Sequence, residues 1–436
     1  FQVIGQLELL FYYNKRTRMT LLFETPSRSI PITKQMVWDA YRKVKSNKGS
    51  AGVDEETLID FDAHLSKNLY KLWNRLSSGS YFPQPVKAVE IPKGNGGMRT
   101  LGIPTIADRI AQEVVKNYIE PRLEAVFVPS SYGYRPHKSA HDAIEQVRTN
   151  VRNYGWVIDM DIKSFFDEVD HDLLLKALSK HVTETWVTLY IKRWLASPVS
   201  RNDVLEHKVG KGTPQGGVIS PLLANLYLHY VLDKWLEKYY PNVRFVRYAD
   251  DVIVHCKTPQ ESHAVLEAIR SRLHACGLRL SQEKTKITYC QDYRRQKRKD
   301  YPKSFDFLGY TFKPMSKKSQ RNSGVFLGFD CEMSRKARNR IVAGWRKSGF
   351  HRKSHTTLQN LAQQLNAQSR GLIRYFGVHS RWRLRSLFRH LDYRLAKWVK
   401  GKYKSITSYQ KAYNYLRKIQ NSYPNLFYHW SIIGLG

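Results

Sequence analysis

Two adjacent aspartates, Asp250 and Asp251, interrupt an apolar stretch of the sequence, FVRYADDVIVHC. Aspartate is a favoured turn residue, so a solvated hairpin turn is the simplest interpretation of this segment taken alone. A second segment, WVIDMDIKSFFDEVDH, places Asp159 and Asp161 at the end of another apolar run. Carboxylates at the ends of two buried strands are unfavourable unless a cation neutralises them. The two segments together therefore predict a cation site, although either one alone could be a solvated turn.

The residues around these aspartates indicate which cation fits. Asp159 and Asp161 are two positions apart, so they share one face of an extended strand. The four cysteines are scattered without a C-x-x-C pair, and neither aspartate segment contains a close pair of histidines. That pattern disfavours zinc. A cluster of Asp oxygens instead suits Mg²⁺, with water and substrate phosphates completing its coordination.

The composition indicates a polyanionic partner. The 436-residue chain has 72 Lys and Arg against 37 Asp and Glu, a formal net charge of +35, with the 42% hydrophobic content of a folded protein. The charge is uneven, because residues 291–436 carry 32 basic and only 6 acidic side chains. A folded chain this basic is expected to bind nucleic acid in preference to a membrane surface. The last third is the expected electrostatic footprint.

The sequence shows no clear secretion signal and no membrane span. No run approaches the roughly 18 apolar residues of a membrane span, and the N-terminal residues lack the basic start and cleavage site of a secretion signal. Scattered cysteines suit a reducing compartment. We therefore expect no membrane partner and a cytoplasmic, nucleoid-associated bacterial protein, with an organelle as the alternative. The natural start, Phe1 or Met19, and the oligomeric state stay open.

Hydrophobic patterning predicts strands interleaved with helices, without a regular βαβ rhythm, and this favours an α+β fold. The apolar runs that carry the aspartates are predicted to be strands. After residue 330 we expect mainly helices rich in arginine and aromatic residues. The expected elements before that point are a hairpin at 87–104, a strand at 156–162, a long helix from 212 to 235, a hairpin at 245–256 and a strand at 304–312.

Several sequence blocks together resemble the group II intron maturase family of reverse transcriptases. YADD lies between apolar strands, DIKSFFDEVDH lies upstream, and GTPQGGVISPLLANLYL lies between the two. Four further blocks occur in the family's order: RTLGIPTIADRIAQ, SYGYRPHKSAHDAI, GLRLSQEKTKI and FDFLGYTF. The similarity runs from about residue 33 to the C-terminus. A lone Y-x-D-D would be weak, whereas so many ordered blocks are highly specific.

The resemblance implies a right-hand polymerase of the α+β class. Its fingers and palm would contain an antiparallel sheet flanked by helices, followed by an α-helical thumb, or X, region. The implied division is an N-terminal extension at 1–32, fingers and palm at 33–320, thumb and X region at 321–395, and a short basic DNA-binding segment at 396–436. Family members with a nuclease carry a further Cys/His-rich module. No such module occurs in these residues, so we expect no endonuclease domain and no target-strand cleavage.

The resemblance also implies the catalytic and metal-binding residues. Asp161, Asp250 and Asp251 would hold two Mg²⁺ ions, and Ile162 is counted with them as a metal position. One ion would activate the primer 3′-hydroxyl and the other would steady the leaving pyrophosphate. Asp161 is preferred because it directly precedes IKSFF, as in the family pattern. Asp159, on the same face of the strand, is the alternative.

Further residues of the family pattern would bind the nucleotide. Phe166 matches the bulky residue beneath the incoming sugar, where a 2′-hydroxyl would collide; the alternative is an ordinary core aromatic. Gln215 would line the pocket, and Gly216 would allow close main-chain approach, although the same stretch also suits a helix start. The remaining candidates are Lys93 and Arg99, which flank the GNGG turn and would close over the triphosphate, and Lys284, which would lie near the pyrophosphate. As plain surface charges they would be unremarkable.

The last third resembles the maturase thumb. Leu361, Leu365, Leu372, Ile373 and Phe376 form a helical stripe that is most simply core. Arginines around this stripe would face a phosphate backbone, although a solvated basic face is the alternative. The candidates are Arg374, Arg381, Arg383, Arg385 and Arg389.

The function implied is an RNA-directed DNA polymerase encoded by a group II intron, which copies the intron RNA and binds it to assist splicing and mobility. Its expected partners are the intron RNA, an RNA template with a DNA primer, target DNA and dNTPs. Two alternatives stay open. The first is a splicing-only RNA-binding maturase, and the second is a reverse transcriptase used in defence or CRISPR spacer acquisition.

Overall fold

The computed structural model describes residues 29–92, 97–202, 204–207, 209–318, 324–379 and 381–435. These residues form two compact units. The first unit contains the described parts of 1–91, 98–125 and 169–223, and the second contains those of 92–97, 126–168 and 224–436. Each unit is therefore assembled from stretches that are far apart in the sequence.

Helices account for most of the regular structure in the described chain. They are α1 (Lys34–Asn47), α2 (Leu58–Ala63), α3 (Leu65–Ser77), α4 (Ile106–Glu124), α5 (Ala140–Asn153), α6 (Phe165–Glu168), α7 (His171–Leu178), α8 (Thr185–Leu195), α9 (Ser220–Leu228), α10 (Lys234–Tyr239), α11 (Pro259–Ala275), α12 (Arg335–Lys347), α13 (Leu358–Phe376), α14 (Arg385–Lys402), α15 (Tyr409–Ser422) and α16 (Tyr428–Ile433). A π-helical turn, His229–Asp233, joins α9 to α10. None of the described helices is both long and apolar enough to span a membrane.

The strands form separate sheets. They are β1 (Val86–Pro92), β2 (Met98–Ile103), β3 (Trp156–Asp161), β4 (Val199–Arg201), β5 (Val204–Glu206), β6 (Arg244–Tyr248), β7 (Asp251–Cys256), β8 (Lys286–Tyr289), β9 (Phe305–Phe307), β10 (Tyr310–Lys318) and β11 (Val325–Met333). The strand orders are β2–β1–β4–β5, β6–β7–β3–β8 and β11–β10–β9. Sheets and helices thus mix along the chain, as the sequence predicts.

The sheet β6–β7–β3–β8 of the second unit is antiparallel throughout. Its central strands are apolar and buried along most of their length, since β3 begins Trp-Val-Ile and β7 contains Val-Ile-Val. Side chains alternate between the two faces of such strands. The aspartates of β3 and β7 therefore leave the sheet on one face, while Arg247 of β6 leaves it on the opposite face.

The first unit is built around helix packing and a short sheet. Helix α1 packs against α4 through its buried stripe of Val37, Ala40, Tyr41 and Val44. Strand β1 pairs with β4 in parallel, and β4 pairs with β5 antiparallel. Side-chain caps begin many of the helices; Thr105, for example, accepts a hydrogen bond from the main-chain N–H of Asp108 at the start of α4.

In the second unit, helices α12 to α16 follow the sheet β11–β10–β9 and share its core. The predicted apolar stripe of α13 is confirmed as core, because Leu361, Leu365, Ile373 and Phe376 are buried. Leu372 is half buried and packs against the same core.

Two sequence-based predictions of elements are wrong in detail. The predicted strand at 304–312 is a tight hairpin, because Leu308 and Gly309 have φ values of 48° and 81° and turn the chain between β9 and β10. The predicted helix from 212 to 235 begins only at Ser220 and contains the π-helical turn. The Pro- and Gly-containing segment before Ser220 forms a loop.

Candidate active site

The strand register brings two of the predicted aspartates together. Asp161 is the last residue of β3, Asp251 is the first of β7, and the two lie directly opposite each other in the antiparallel ladder. Residues paired in this way have Cβ atoms about 5 Å apart. Asp250 follows Ala249 in the two-residue turn between β6 and β7. The three carboxylates therefore lie at one end of this sheet.

Asp159 occupies the same face of the sheet, one row deeper. It pairs with Ile253 and not with an aspartate, and its carboxylate lies 3.7 Å from Nζ of Lys286. Burial raises the pKa of Asp159 to about 6, although Lys286 acts in the opposite direction. The structure therefore places Asp161, and not Asp159, beside Asp251.

Negative charge is concentrated around Asp251. This residue reaches the solvent, but the protein around its carboxylate desolvates it, and Asp250, Asp161 and Asp159 repel its charge; together these effects raise its pKa to about 7. Nζ of Lys284 donates a hydrogen bond to Oδ2 of Asp161 at 2.8 Å, and this bond raises the pKa of Lys284. Lys284 alone does not balance the charge of three carboxylates.

Asp161, Asp250 and Asp251 fit a hard divalent cation, because each of them offers carboxylate oxygens. No group of three carboxylate, imidazole or thiol side chains forms a preassembled metal cage within the described residues. Mg²⁺ commonly binds through one or two carboxylates, with water and substrate phosphates as its other ligands, so such a cage is not required. The cluster is therefore compatible with magnesium that arrives together with a phosphate-bearing substrate.

Ile162 can offer only a main-chain oxygen. It forms an isolated antiparallel bridge with Leu280. The flanking hydrogen bonds, Ser281 N to Asp161 O and Lys163 N to Arg279 O, are both 2.8 Å long. Two residues that lie opposite each other between such a pair of hydrogen bonds form no main-chain hydrogen bond with each other. The main-chain groups of Ile162 therefore point away from Leu280.

Phe166 and Phe165 begin helix α6 but differ in exposure. Phe165 is buried, with its ring centroid 6.5 Å from that of Tyr227, whereas Phe166 is only partly buried. Their ring centroids are 5.3 Å apart. The core-aromatic interpretation therefore describes Phe165 better than Phe166.

Arg99 and Gln215 come together in the first unit. Nε of Arg99 donates to Oε1 of Gln215 at 2.8 Å, and Gly102 N donates to Gln215 O at 2.7 Å. Gly216 has a φ of 124°, and a Cβ built on it would overlap the main-chain oxygen of Gly102. A side chain at position 216 would therefore push the two main chains apart. Lys93 lies outside the described residues.

The predicted nucleic-acid-binding arginines have different surroundings. The exposed members are Arg374, Arg381, Arg385 and Arg389. Arg383 is half buried and forms an ion pair with Glu332. Its guanidinium is therefore already engaged with a carboxylate, which the expectation of a phosphate contact did not include.

Sequence reasoning missed one charged residue beside the aspartates. Arg247 is fully buried and ion-paired with Asp233, which is also fully buried. The signal is visible in FVRYADD, where an arginine takes an inward position of a buried strand. Such a residue requires a buried partner.

Comparison with known protein families identifies the chain. Residues 91–312, about half of its length, match the family described as reverse transcriptase (RNA-dependent DNA polymerase). The chain belongs to the reverse transcriptase family. Residues 346–416 match the group II intron, maturase-specific domain. This reverse transcriptase is thus an RNA-directed DNA polymerase, a nucleotidyltransferase of a class that typically uses a divalent metal.

Relatives of this reverse transcriptase include bacterial and organellar proteins. Protein YkfC of Escherichia coli (strain K12) is 35% identical over 308 residues, which cover 61% of this chain and 80% of that protein. Group II intron-encoded protein LtrA of Lactococcus lactis subsp. cremoris is 28% identical over 454 residues, which cover 85% of this chain and 73% of that protein. Nuclear intron maturase 1, mitochondrial, of Arabidopsis thaliana is 35% identical over 81 residues, which cover 19% of this chain and 11% of that protein.

The exposure of Phe166 leads to a prediction about sugar selection. If its ring lies beneath the incoming sugar, Phe166→Ala opens space for a 2′-hydroxyl and should lower the preference for dNTPs over rNTPs by about 10- to 100-fold. Phe165→Leu is the matched control, and it should lower the melting temperature without changing the preference. Single-nucleotide incorporation by the purified variants measures both. An unchanged preference in folded Phe166→Ala would rule out this role.

Proposed function

We propose that this reverse transcriptase is encoded by a group II intron, copies the intron RNA into DNA, and binds that RNA to assist splicing and mobility. The observation that carries the proposal is the meeting of Asp161, Asp250 and Asp251 at one end of a sheet, in a chain that also matches the maturase-specific domain. A splicing-only protein would have no need to keep the three carboxylates together. The group II relative LtrA, matched over most of this chain, supports the same assignment.

In the proposed mechanism, Asp161, Asp250 and Asp251 would hold two Mg²⁺ ions, and the main-chain oxygen of Ile162 would be a further ligand. When bound, the ions would activate the primer 3′-hydroxyl and stabilise charge on the leaving pyrophosphate. Lys284 neutralises Asp161 in the structure, and we propose that its ammonium exchanges this carboxylate for a phosphate of the nucleotide.

Other residues of the chain are assigned to binding the nucleotide. Arg99, with Lys93, would neutralise the triphosphate, since cations that face developing charge stabilise the transition state of phosphoryl transfer. Gln215 would contact the nucleotide itself, and Gly216 would allow its main chain to approach closely. Phe166 would exclude the 2′-hydroxyl.

The proposal also assigns the fingers, palm and thumb of a right-hand polymerase to regions of the chain. The antiparallel sheet that carries the aspartates would be the palm, and β1 with β2 would belong to the fingers. The helices of residues 321–395 would form the thumb and X region, and residues 396–436 would contact target DNA. Helix α14 crosses the boundary at residue 395 without a break.

Intron RNA is proposed to bind the basic last third of the chain. Arg374 and Arg381 line a surface cavity together with Tyr428 and Ile432. Trp382, directly after Arg381, has 70% of its surface exposed. Exposed aromatic rings beside arginines suit unpaired bases, which stack on the rings while the guanidinium groups contact phosphates.

Removal of one carboxylate tests the polymerase function. Asp251→Asn and Asp161→Asn should each slow primer extension on an RNA template by about 10²- to 10³-fold or more, because charge on the reacting groups is no longer stabilised. RNA affinity, measured by filter binding, should change less than about twofold. Extension at the wild-type rate by either variant would contradict the proposed site. Full splicing assistance with no detectable extension by the wild-type protein would favour the splicing-only alternative.

The exposed arginines lead to a prediction about salt dependence. Each lost phosphate contact should flatten the slope of log affinity against log salt concentration by about 0.7–0.9. Arg374→Gln with Arg381→Gln should therefore weaken intron RNA binding across sequences and flatten the slope by up to about 1.8. The matched control is Arg270→Gln, an exposed arginine of α11, which should leave the slope unchanged. Equal slopes for the double variant and the wild type would mean that these arginines form only a solvated basic face.

A further inference from the structure

Arg247 is the buried centre of a hydrogen-bond network next to the YADD turn. Its Nε and Nη2 donate to the two carboxylate oxygens of Asp233 at 2.8 and 2.5 Å. Its Nη1 donates to Oδ1 of Asn225 at 2.8 Å and to the main-chain oxygen of Ala249 at 3.2 Å. One guanidinium group therefore links helix α9, the π-helical turn and the turn that carries Asp250.

The main chain of Arg247 holds a second segment in place. Arg247 N donates to Ser130 O at 2.9 Å, and Tyr132 N donates to Arg247 O at 2.8 Å. Residues 130–132 thus add a short parallel bridge to the edge of β6. Nδ2 of Asn225 donates to Gly133 O at 2.7 Å, so Asn225 ties the end of this segment to the guanidinium.

The turn itself has a conformation that its own residues disfavour. Ala249 has a φ of 58°, which is uncommon for a residue with a Cβ and persists only where the surroundings impose it. Gly133 lies so close that a Cβ built on it would overlap Ala249 N and come within 2.9 Å of Tyr248 C. The turn is therefore constrained by the Gly133 main chain and by the bond from Arg247 to Ala249 O.

The π-helical turn explains how one guanidinium can reach two residues of the same helical segment. Asn225 and Asp233 are eight residues apart, and in a regular α-helix they would differ by about 80° around the axis. The hydrogen bond from Lys234 N to His229 O spans five residues and inserts one extra residue. That insertion reduces the difference to about 20°. Asn225 and Asp233 then face Arg247 together.

Stability alone gives little reason for this arrangement. A fully buried ion pair loses much hydration, and well-packed apolar side chains of similar size are often equally stable in its place. A bidentate guanidinium–carboxylate pair does, however, fix direction as well as distance. The turn between β6 and β7, with its strained Ala249, lies next to this pair and requires a contact that holds it in one orientation.

We propose that Arg247 is a positioning residue for nucleotide transfer. Through Asp233, Asn225 and Ala249 O, it fixes the turn between β6 and β7 and so the direction of Asp250 and Asp251. The inference rests on the proposed catalytic role of these two aspartates. Arg247 itself touches no substrate, and it acts through the geometry of the turn.

Arg247→Lys tests the proposal, because it keeps the charge and loses the planar fork. The kcat for single-nucleotide extension should fall about 100-fold, which is the scale reported for misplacement of reacting groups by about 1 Å. The Mg²⁺ concentration for half-maximal rate should rise, while the Kd for template–primer should stay within about twofold. Asn225→Asp is the second test variant, for use if Arg247→Lys does not fold. It keeps the Arg247–Asp233 ion pair and loses the N–H that donates to Gly133 O, and it should lower kcat by about tenfold.

Arg148→Lys is the matched control. Arg148 forms a similar bidentate pair with Asp330 at 2.7 and 3.2 Å, within the same unit but away from the turn. It should lower the melting temperature, by less than Arg247→Lys because its pair is partly exposed and not fully buried, and leave kcat unchanged below the transition. Equal losses of kcat in Arg247→Lys and Arg148→Lys would overturn the inference. Weaker template–primer binding by Arg247→Lys with an unchanged kcat would overturn it as well. If Asp251→Asn extends primers normally, the proposed function fails; if it is inactive and Arg247→Lys is fully active, only this inference fails.

Discussion

The antiparallel pairing of β3 with β7, in the register that sets Asp161 opposite Asp251, is the constraint on which the site depends. A shift by one residue would turn every side chain of β3 to the opposite face and would bury the carboxylates among apolar residues. Val157 of β3 and Ile253 of β7, on the same face as the aspartates, lie in the core, and a shifted register would take them out of it. Packing thereby holds like charges together that would separate if the ends of the strands were free.

The pairing of β3 with β8 places cations beside the carboxylates. Lys284 and Lys286 take positions two apart, so one lysine reaches Asp161 and the other reaches the deeper Asp159. On the opposite face, Arg247 reaches Asp233 and Asn225. The carboxylate cluster thus has cations near it on one face and a buried network that supports its turn on the other. The basic last third of the chain is separate in sequence, and under the proposed function it supplies affinity for RNA and not chemistry.

Much of this could be predicted from the sequence, because local patterns specify it. The apolar runs of β3, β6 and β7, and the stripe of α13, follow from periodicity alone. The turn at Leu308–Gly309 does not follow from the sequence, because leucine rarely adopts the positive φ that Leu308 has here. The Arg383–Glu332 pair and the Arg247 network join residues 51 and 14 positions apart. No local pattern encodes such partners.

The most direct test of the carboxylate cluster is the change in melting temperature produced by Mg²⁺, measured at pH 5.5 and pH 8 for the wild type and Asp251→Asn. The raised pKa of Asp251, about 7 against an ordinary value of 3.8, means that the folded protein keeps a proton which the unfolded chain has lost. This residue's contribution to stability therefore falls as the pH rises from about 4 to 7. Mg²⁺ should stabilise the wild type more at pH 8 than at pH 5.5. At pH 8 and without Mg²⁺, Asp251→Asn should be more stable than the wild type. Addition of Mg²⁺ should then stabilise Asp251→Asn only a little. Equal Mg²⁺ shifts in both proteins would contradict the assignment of this cluster as the metal site.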